Sequence, residues 1–245
     1  MPGIVIRTHT MNNSYRSLLR LMQLISPSTP VGAYAYSQGL EQAVAWGWVQ
    51  TEQQLEDWIC GVLSNSILSQ DAPLLIRLYN AWESKDHEQL LYWNQYLLAC
   101  RETRELRQEE MLLGQALTRL LITLDMMDLQ ALQEVWQPKS SLGNGAPICY
   151  ATAFSCAGVN WNIDLSSLLL GYGWAWAENQ MMAALKLLPI GQSAGQRILS
   201  ATAELLAAET ERCFAIEDDA IAGALPGLAH ASSAHESQYS RLFRS

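Results

Sequence analysis

Charge is scarce in this sequence. Asp, Glu, Lys and Arg make up 16% of its 245 residues, against roughly a quarter in an ordinary soluble domain. Basic residues are scarcer than acidic ones, 15 Lys and Arg against 24 Asp and Glu, which leaves a net charge of −9. A chain of that sign repels phosphate backbones and anionic lipid, so neither nucleic acid nor a membrane surface is an expected partner. Cysteine is sparse and scattered: Cys60, Cys100, Cys149, Cys156 and Cys213 form no C-x-x-C pair and are odd in number. They read as reduced, buried thiols of a cytoplasmic protein rather than a disulfide framework. Long apolar runs are also missing. The opening MPGIVIRTHTMNNSYRS has no apolar core of signal-peptide length. The longest charge-free stretch, Ser140 to Ile163, is broken by Gly143, Gly145 and Pro147, and Leu165 to Ala177 is too short to cross a bilayer. No alternating β-branched run exceeds Ile4-Val5-Ile6, and no repeat appears.

Hydrophobic residues, by contrast, make up 49%, enough for a sizeable core. A surface so poor in charge suggests that part of it is covered by something else. The apolar residues follow helical periods. Leu18, Leu19, Met22 and Ile25 form a first stripe, stopped by the loop from Ser26 to Gly32. A helix from Ala33 to Trp46 ends at Gly47, and Thr51 with Gln54 makes a capping box for the next. Asp71-Ala-Pro73 reads as a fresh helix start, because Asp caps and Pro fits a first turn. Further helices are expected from Asp86, over Arg101 to Leu124, at Asp128 to Trp136 and from Pro147 to Gly158. Asp164 caps a run, SLLLGYGWAWAENQMMAALKLL, that is apolar nearly all round and so belongs at the centre. A last helix is expected from Ser193 to about Glu217. The fold class expected is all-α: a single-domain bundle of about nine or ten helices around one hydrophobic helix. Residues 1–13 read as a flexible N-terminus, 14–219 as the helical domain and 220–245 as a loop-like tail. That tail ends in Tyr239, Leu242 and Phe243 between Arg241 and Arg244, residue types that suit a docking peptide; equally, it could fold back on its own body.

Candidate chemistry is thin. Gly191-Gln-Ser193-Ala-Gly195 matches G-x-S-x-G, and Asp218 or Asp219 and then His230 or His235 follow in hydrolase order. The motif needs a strand before it, however, and here an amphipathic helix precedes it. Gly171-Tyr-Gly173 lacks the third glycine of a dinucleotide fingerprint and reads as close helix packing. The four histidines, His9, His87, His230 and His235, have no chelating spacing, and Cys149 with Cys156 reads as two buried thiols. The dense run Arg101 to Glu109 reads as a solvated helix face. Lys186 is the sole charge between Glu178 and Arg197, on an otherwise greasy helix. It could snorkel or offer a fixed positive point to a partner.

Four segments occur in a telling order: LMQLISPSTPVGAYAYSQGLEQAV from Leu21, RETRELRQEEMLLGQAL from Arg101, ALKLLPIGQSAGQRIL from Ala184 and HESQYSRLFRS from His235. Together they resemble the UreF family of urease accessory proteins over about nine-tenths of the chain. In that light GQSAG belongs to the family's P-[LI]-G-Q turn. The departures are small: Tyr34-Ala35 and Gln38 stand where an aromatic-Ser pair and His are commoner, and Ile190 replaces a commoner Leu. The resemblance implies an all-α homodimer with no catalytic centre, acting as a chaperone in nickel insertion. Its partners would be UreD (also called UreH), the GTPase UreG, apo-urease with its carbamylated lysine and, indirectly, the nickel carrier UreE. It implies no directly bound cofactor, since nickel passes to urease and GTP belongs to UreG. On this reading the tail residues His235, Glu236, Tyr239, Ser240, Arg241, Leu242, Phe243 and Arg244 dock on UreD, with Tyr239 and Phe243 as anchors. Lys186, Gln192 and Gln196 lie toward the GTPase. The loop with Pro30, Val31, Gly32, Tyr34, Tyr36, Ser37, Gly39 and Glu41 either shapes a partner face or packs the first helices. The alternatives are a serine hydrolase using Ser193 and a generic helical scaffold.

Overall fold

The computed structural model describes residues 13–126 and 147–245. The expected N-terminal stretch, Asn13 apart, and the short helix at Asp128 to Trp136 lie outside them. Every regular element among the described residues is helical, as the periodicity predicts. The helices are α1 (Asn13–Ile25), α2 (Leu40–Ala45), α3 (Glu52–Val62), α4 (Ala72–Ser84), α5 (His87–Ala99), α6 (Arg104–Thr123), α7 (Tyr150–Asn160), α8 (Leu165–Leu187), α9 (Gln192–Glu209) and α10 (Pro226–His235).

Local chemistry sets several boundaries. Thr51 and Gln54 close the capping box of α3, Asp86 accepts the Gln89 N–H, Thr103 that of Leu106, and Asp164 that of Ser167. Each bond satisfies an N–H that the first helical turn leaves open. The expected helix Ala33 to Trp46 is divided. A 3-10 turn at Ala33–Ala35 gives way to extended Tyr36, and left-handed Gln38 (φ 50°) and Gly39 (φ 82°) precede α2.

The expected start at Asp71 is absent. Asp71 is itself helical and caps nothing; α3 runs into α4 through a π-helix at Leu63–Asp71. There the Ala72 N–H reaches back five residues to Ile67 O. A widened turn before Pro73 accommodates a ring that would otherwise clash with the preceding turn. The resulting helix, Glu52–Ser84, is 33 residues long and apolar enough by length and composition to cross a membrane, yet 72% of its most apolar window is buried inside the fold. It is a core helix.

Two helices share the centre. In α7, Ala151 through Gly158 are all buried, between α4 and α6. As its all-round apolarity predicts, α8 touches α1, α2, α3, α4, α7 and α9. Its glycines serve opposite faces. A Cβ on Gly171 would stand 2.6 Å from Leu21 Cδ1, and one on Gly173 2.6 Å from Leu206 Cδ2. Close packing is therefore what Gly171 and Gly173 provide. On α1 the expected inward stripe is rotated: Leu21 and Leu24 are buried, while Leu18, Leu19 and Met22 are exposed. Leu21 and Ile25 are the residues that meet Gly171, and this contact sets the rotation. Cys149, Cys156 and Cys213 are buried, Cys60 and Cys100 half-buried, and none is paired. Burial pushes the Cys156 thiol up to about 12 and that of Cys213 to about 11, which leaves both protonated and inert.

The loop-like reading of the tail is corrected. Pro226 at the first turn opens α10, which packs on α2 and α6. Beyond it the chain turns back, and residues 241–245 lie along residues 35–37: Arg244 N–H donates to Ala35 O (2.8 Å) and Ser37 N–H to Ser245 O (2.7 Å).

Candidate functional site

The site forms where α10 and the strap of residues 241–245 close on α2 and α6. Glu105, Glu109, Leu113, Leu117 and Leu121 follow one another at four-residue steps on the buried face of α6. The acids thus continue a line of leucines into the interior, and the expected solvated face holds only for Glu102, Arg104, Arg107 and Gln108, which are exposed; Glu105, Glu109 and Glu110 are buried. Arg101 precedes the helix and does not pair with Glu105.

Arg101 is instead the centre of one cluster. It donates two parallel 2.8 Å bonds to Asp71 and two more, 3.1 and 2.8 Å, to Glu110. Glu110 also takes the Ala151 N–H (3.2 Å), and Tyr172 O–H donates to Asp71 (3.3 Å). Burial works against the guanidinium charge, but Asp71 and Glu110 outweigh it and hold the Arg101 pKa well above its usual value. Burial, then Asp71, raises the Tyr172 phenol well above its ordinary range.

The second cluster centres on His235, fully buried at the end of α10. Its Nδ1 lies 2.8 Å from Glu105 and its Nε2 3.1 Å from Glu41. Glu41 also accepts the N–H groups of Leu242 (2.7 Å) and Phe243 (2.9 Å), and Glu105 accepts Arg241 (2.6 Å). Glu236 receives the Arg104 N–H (3.1 Å) at the α6 N-terminus, where a carboxylate is favoured. Thr103 and Ser232 hydroxyls meet at 2.8 Å.

Glu109, between Glu105 and Glu110 on α6, makes its hydrogen bonds outside both clusters. It accepts Gln38 Nε2–H (2.7 Å) and Ser245 Oγ–H (2.9 Å), while Gln38 Oε1 accepts the Trp176 indole N–H (2.6 Å). Burial pushes the Glu109 carboxyl up to about 7, against the two hydrogen bonds that favour its anion. A cavity of about 120 Å³ adjoins it, lined by Tyr34, Gln38, Glu109, Tyr150, Trp176 and Glu178 among others.

The structure brings many of the sequence-singled residues together. Tyr36, Ser37 and Glu41 are buried under the strap and Gly39 against α10; Val31 and Gly32 are half-buried; Pro30 and Tyr34 face out. Of the tail, His235 and Phe243 are buried, so Phe243 anchors the strap to its own body instead of standing free. Glu236, Tyr239, Ser240, Arg241, Leu242 and Arg244 are exposed. Lys186, exposed in the last turn of α8, places its ammonium 5.3 Å from the centre of the Phe243 ring. Gln192 and Gln196 are exposed early in α9. Ser193 lies in the first turn of α9, with α8 and not a strand before it. The expected triad partners are engaged elsewhere: Asp218 with Arg77, His230 stacked on Trp46, His235 on two glutamates. Among the described residues no three or more His, Cys, Asp or Glu side chains are grouped to hold a metal ion. From the sequence Asp71 was read only as a helix cap and Glu105 and Glu109 only as part of a solvated face, and Glu110 was not singled out; for the α6 glutamates the signal available was their place in line with apolar positions.

The sequence profile of the UreF family matches residues 49–203, more than half of the chain. The urease accessory protein UreF of Alkalilimnicola ehrlichii is 46% identical over 227 residues, 92% of this chain and 95% of that protein. That of Teredinibacter turnerae is 45% identical over 235 residues, 96% of this chain and all of that protein. That of Psychrobacter cryohalolentis is 43% identical over 229 residues, 94% of each. At that identity and coverage, the chain belongs to the UreF family.

Proposed function

We propose that the chain is a non-catalytic accessory factor for maturation of the urease nickel centre, bridging UreD (UreH) to the GTPase UreG and modulating the GTPase. The observation that carries this reading is likeness along nearly the whole chain to proteins named urease accessory protein UreF. Nickel is the cargo of the assembly, supplied through UreE and delivered to apo-urease, and GTP is held by UreG. The chain works as a cytoplasmic homodimer.

The geometry supports a division of labour on one continuous surface. Leu242 is exposed on a strap whose backbone is fixed by Glu41, a preorganised side chain that binds at low entropic cost, and Tyr239 is exposed just before the strap. Lys186 lies next to the strap through Phe243. The UreD side takes Tyr239 and Leu242, and the GTPase side takes Lys186 with Gln192 and Gln196. The test is light scattering on a sizing column: the chain alone, then with UreD, then with UreG added. A dimer that builds into a ternary complex is the expected result. A monomer that takes up neither partner overturns the reading.

A further inference from the structure

The cavity beside Glu109, about 120 Å³ with exposed Tyr34 among its lining residues, has polar walls that the fold does not satisfy. Ser66 lines it and is only 8% exposed, yet its hydroxyl has no hydrogen-bond partner among the described residues. The same holds for the Tyr150 phenol and the Glu178 carboxylate, on half-buried residues of the same lining. Glu109 is bonded only to neutral groups, the Gln38 amide and the Ser245 hydroxyl, and a carboxylate accepts more than two such bonds. We propose that this cavity is a binding site for a guanidinium group, carried by a small molecule or by an arginine side chain.

The widened helix builds one wall. In a regular α-helix Ser66 and Asp71 would point about 140° apart. The π-helix at Leu63–Asp71 closes its turns on residues five apart, so the two come one turn from each other and both line the cavity. Helix α6 adds Glu109 and Glu110, α7 adds Tyr150, and α8 adds Tyr172, Trp176 and Glu178. The charged lining is thus four carboxylates, Asp71, Glu109, Glu110 and Glu178, against the single guanidinium of Arg101. Arg101 is committed to Asp71 and Glu110, which leaves Glu109 and Glu178 with no cation bonded to them.

Charge, shape and size select the ligand. The excess of acid repels anions and draws a cation. A metal ion fits poorly, because among the described residues no three or more His, Cys, Asp or Glu side chains are grouped to hold one, and much of the lining is aromatic. A guanidinium is planar and weakly hydrated, stacks on aromatic rings and forks onto carboxylates, whereas an ammonium is compact and strongly hydrated. Glu109 and Glu178 supply the counter-charge, and the Ser66 and Tyr150 oxygens accept further N–H groups. A cavity of about 150 Å³ holds benzene, so this one has room for the smaller guanidinium. The adjoining Asp71 already takes a guanidinium through two parallel bonds, that of Arg101.

The test is titration of the intact chain with methylguanidinium, followed by nuclear magnetic resonance at the indole N–H of Trp176, which lines the cavity and bonds to Gln38. Trp176→Phe assigns the signal. A saturable shift is expected at about millimolar concentration, an ordinary affinity for so small a ligand. Methylurea, its neutral counterpart, and methylammonium are expected to bind at least about ten-fold more weakly. Glu178→Gln and Tyr150→Phe give up no hydrogen bond within the described fold; each is expected to weaken methylguanidinium about three- to ten-fold while thermal melts stay unchanged. N-acetyl-arginine amide separates the two sources: tighter binding than methylguanidinium identifies an arginine side chain of a polypeptide, weaker binding a free small molecule. A Trp176 signal that does not move, as in a cavity that takes only water, overturns the site. So do equal affinities for methylguanidinium and methylurea, or an affinity that neither substitution changes.

Discussion

Arg101 grips Asp71 through two parallel bonds of 2.8 Å, joining the α5–α6 connection to the end of the π-helix. The same guanidinium serves Glu110, so one cation neutralises two buried acids. Removing it leaves both charges without a counterion. Arg101→Met is expected to cost about 3–5 kcal/mol, the range for breaking a buried pair from one side. Urea unfolding at neutral pH measures it, and a loss under about 1 kcal/mol would show that water reaches the acids.

The raised Glu109 carboxyl makes overall stability depend on pH. Its folded-state pKa, about 7, exceeds the ordinary 4.5, so the native state binds the proton more tightly. Its contribution is complete below pH 4.5 and is lost as pH rises through about 7. The shift corresponds to about 3 kcal/mol. The stability difference between the unmutated chain and Glu109→Gln, followed by urea unfolding from pH 4.5 to pH 8, is expected to fall by that order. A difference that stays constant contradicts it.

Neighbouring strap residues should separate folding from binding. Phe243 is buried and Leu242 exposed, though they are adjacent. Phe243→Ala is expected to destabilise by about 3–5 kcal/mol. Leu242→Ala and Tyr239→Ala are expected to stay within about 0.5 kcal/mol, while weakening uptake of UreD on the sizing column. Thermal melts beside the binding assay distinguish the two classes.

Two left-handed glycines offer an internal comparison. Gly32 and Gly39 have φ of 83° and 82°, but a Cβ on Gly32 meets nothing within 4 Å, whereas one on Gly39 would stand 3.0 Å from the Ser232 nitrogen. Gly32→Ala carries the conformational cost alone, about 1–2 kcal/mol. Gly39→Ala carries it plus displacement of α10, and should lower the melting temperature further. Equal losses would mean that α10 yields freely.

The helices were legible in the sequence because capping chemistry and periodicity are local. Thr51, Asp86 and Asp164 act within four residues of themselves, and all three cap as read. Asp71 misled for the same reason: it has the composition of a cap, but a guanidinium thirty residues onward claims it. The acids of α6 misled because a glutamate is usually solvated, and their partners Gln38, His235, Arg241 and Ser245 come from both ends of the chain. Lys186 stood out by isolation on a greasy helix, but only the fold places it over Phe243.

The widened stretch at Leu63–Asp71 also has a consequence for how this chain tolerates change in length. A π turn holds one residue more than the α turn it replaces, and each added residue rotates everything beyond it by about 100°. The orientation of α4, with Leu74, Leu75 and Leu78 fully buried, thus depends on a surplus carried inside a helix rather than in a loop. Deleting a single residue between 63 and 71 would remove that surplus and let the stretch close into a regular helix with those leucines still facing inward, whereas a deletion just beyond Asp71 would turn them by about 100°. A gap of one is absorbed within this stretch and becomes a rotation only outside it.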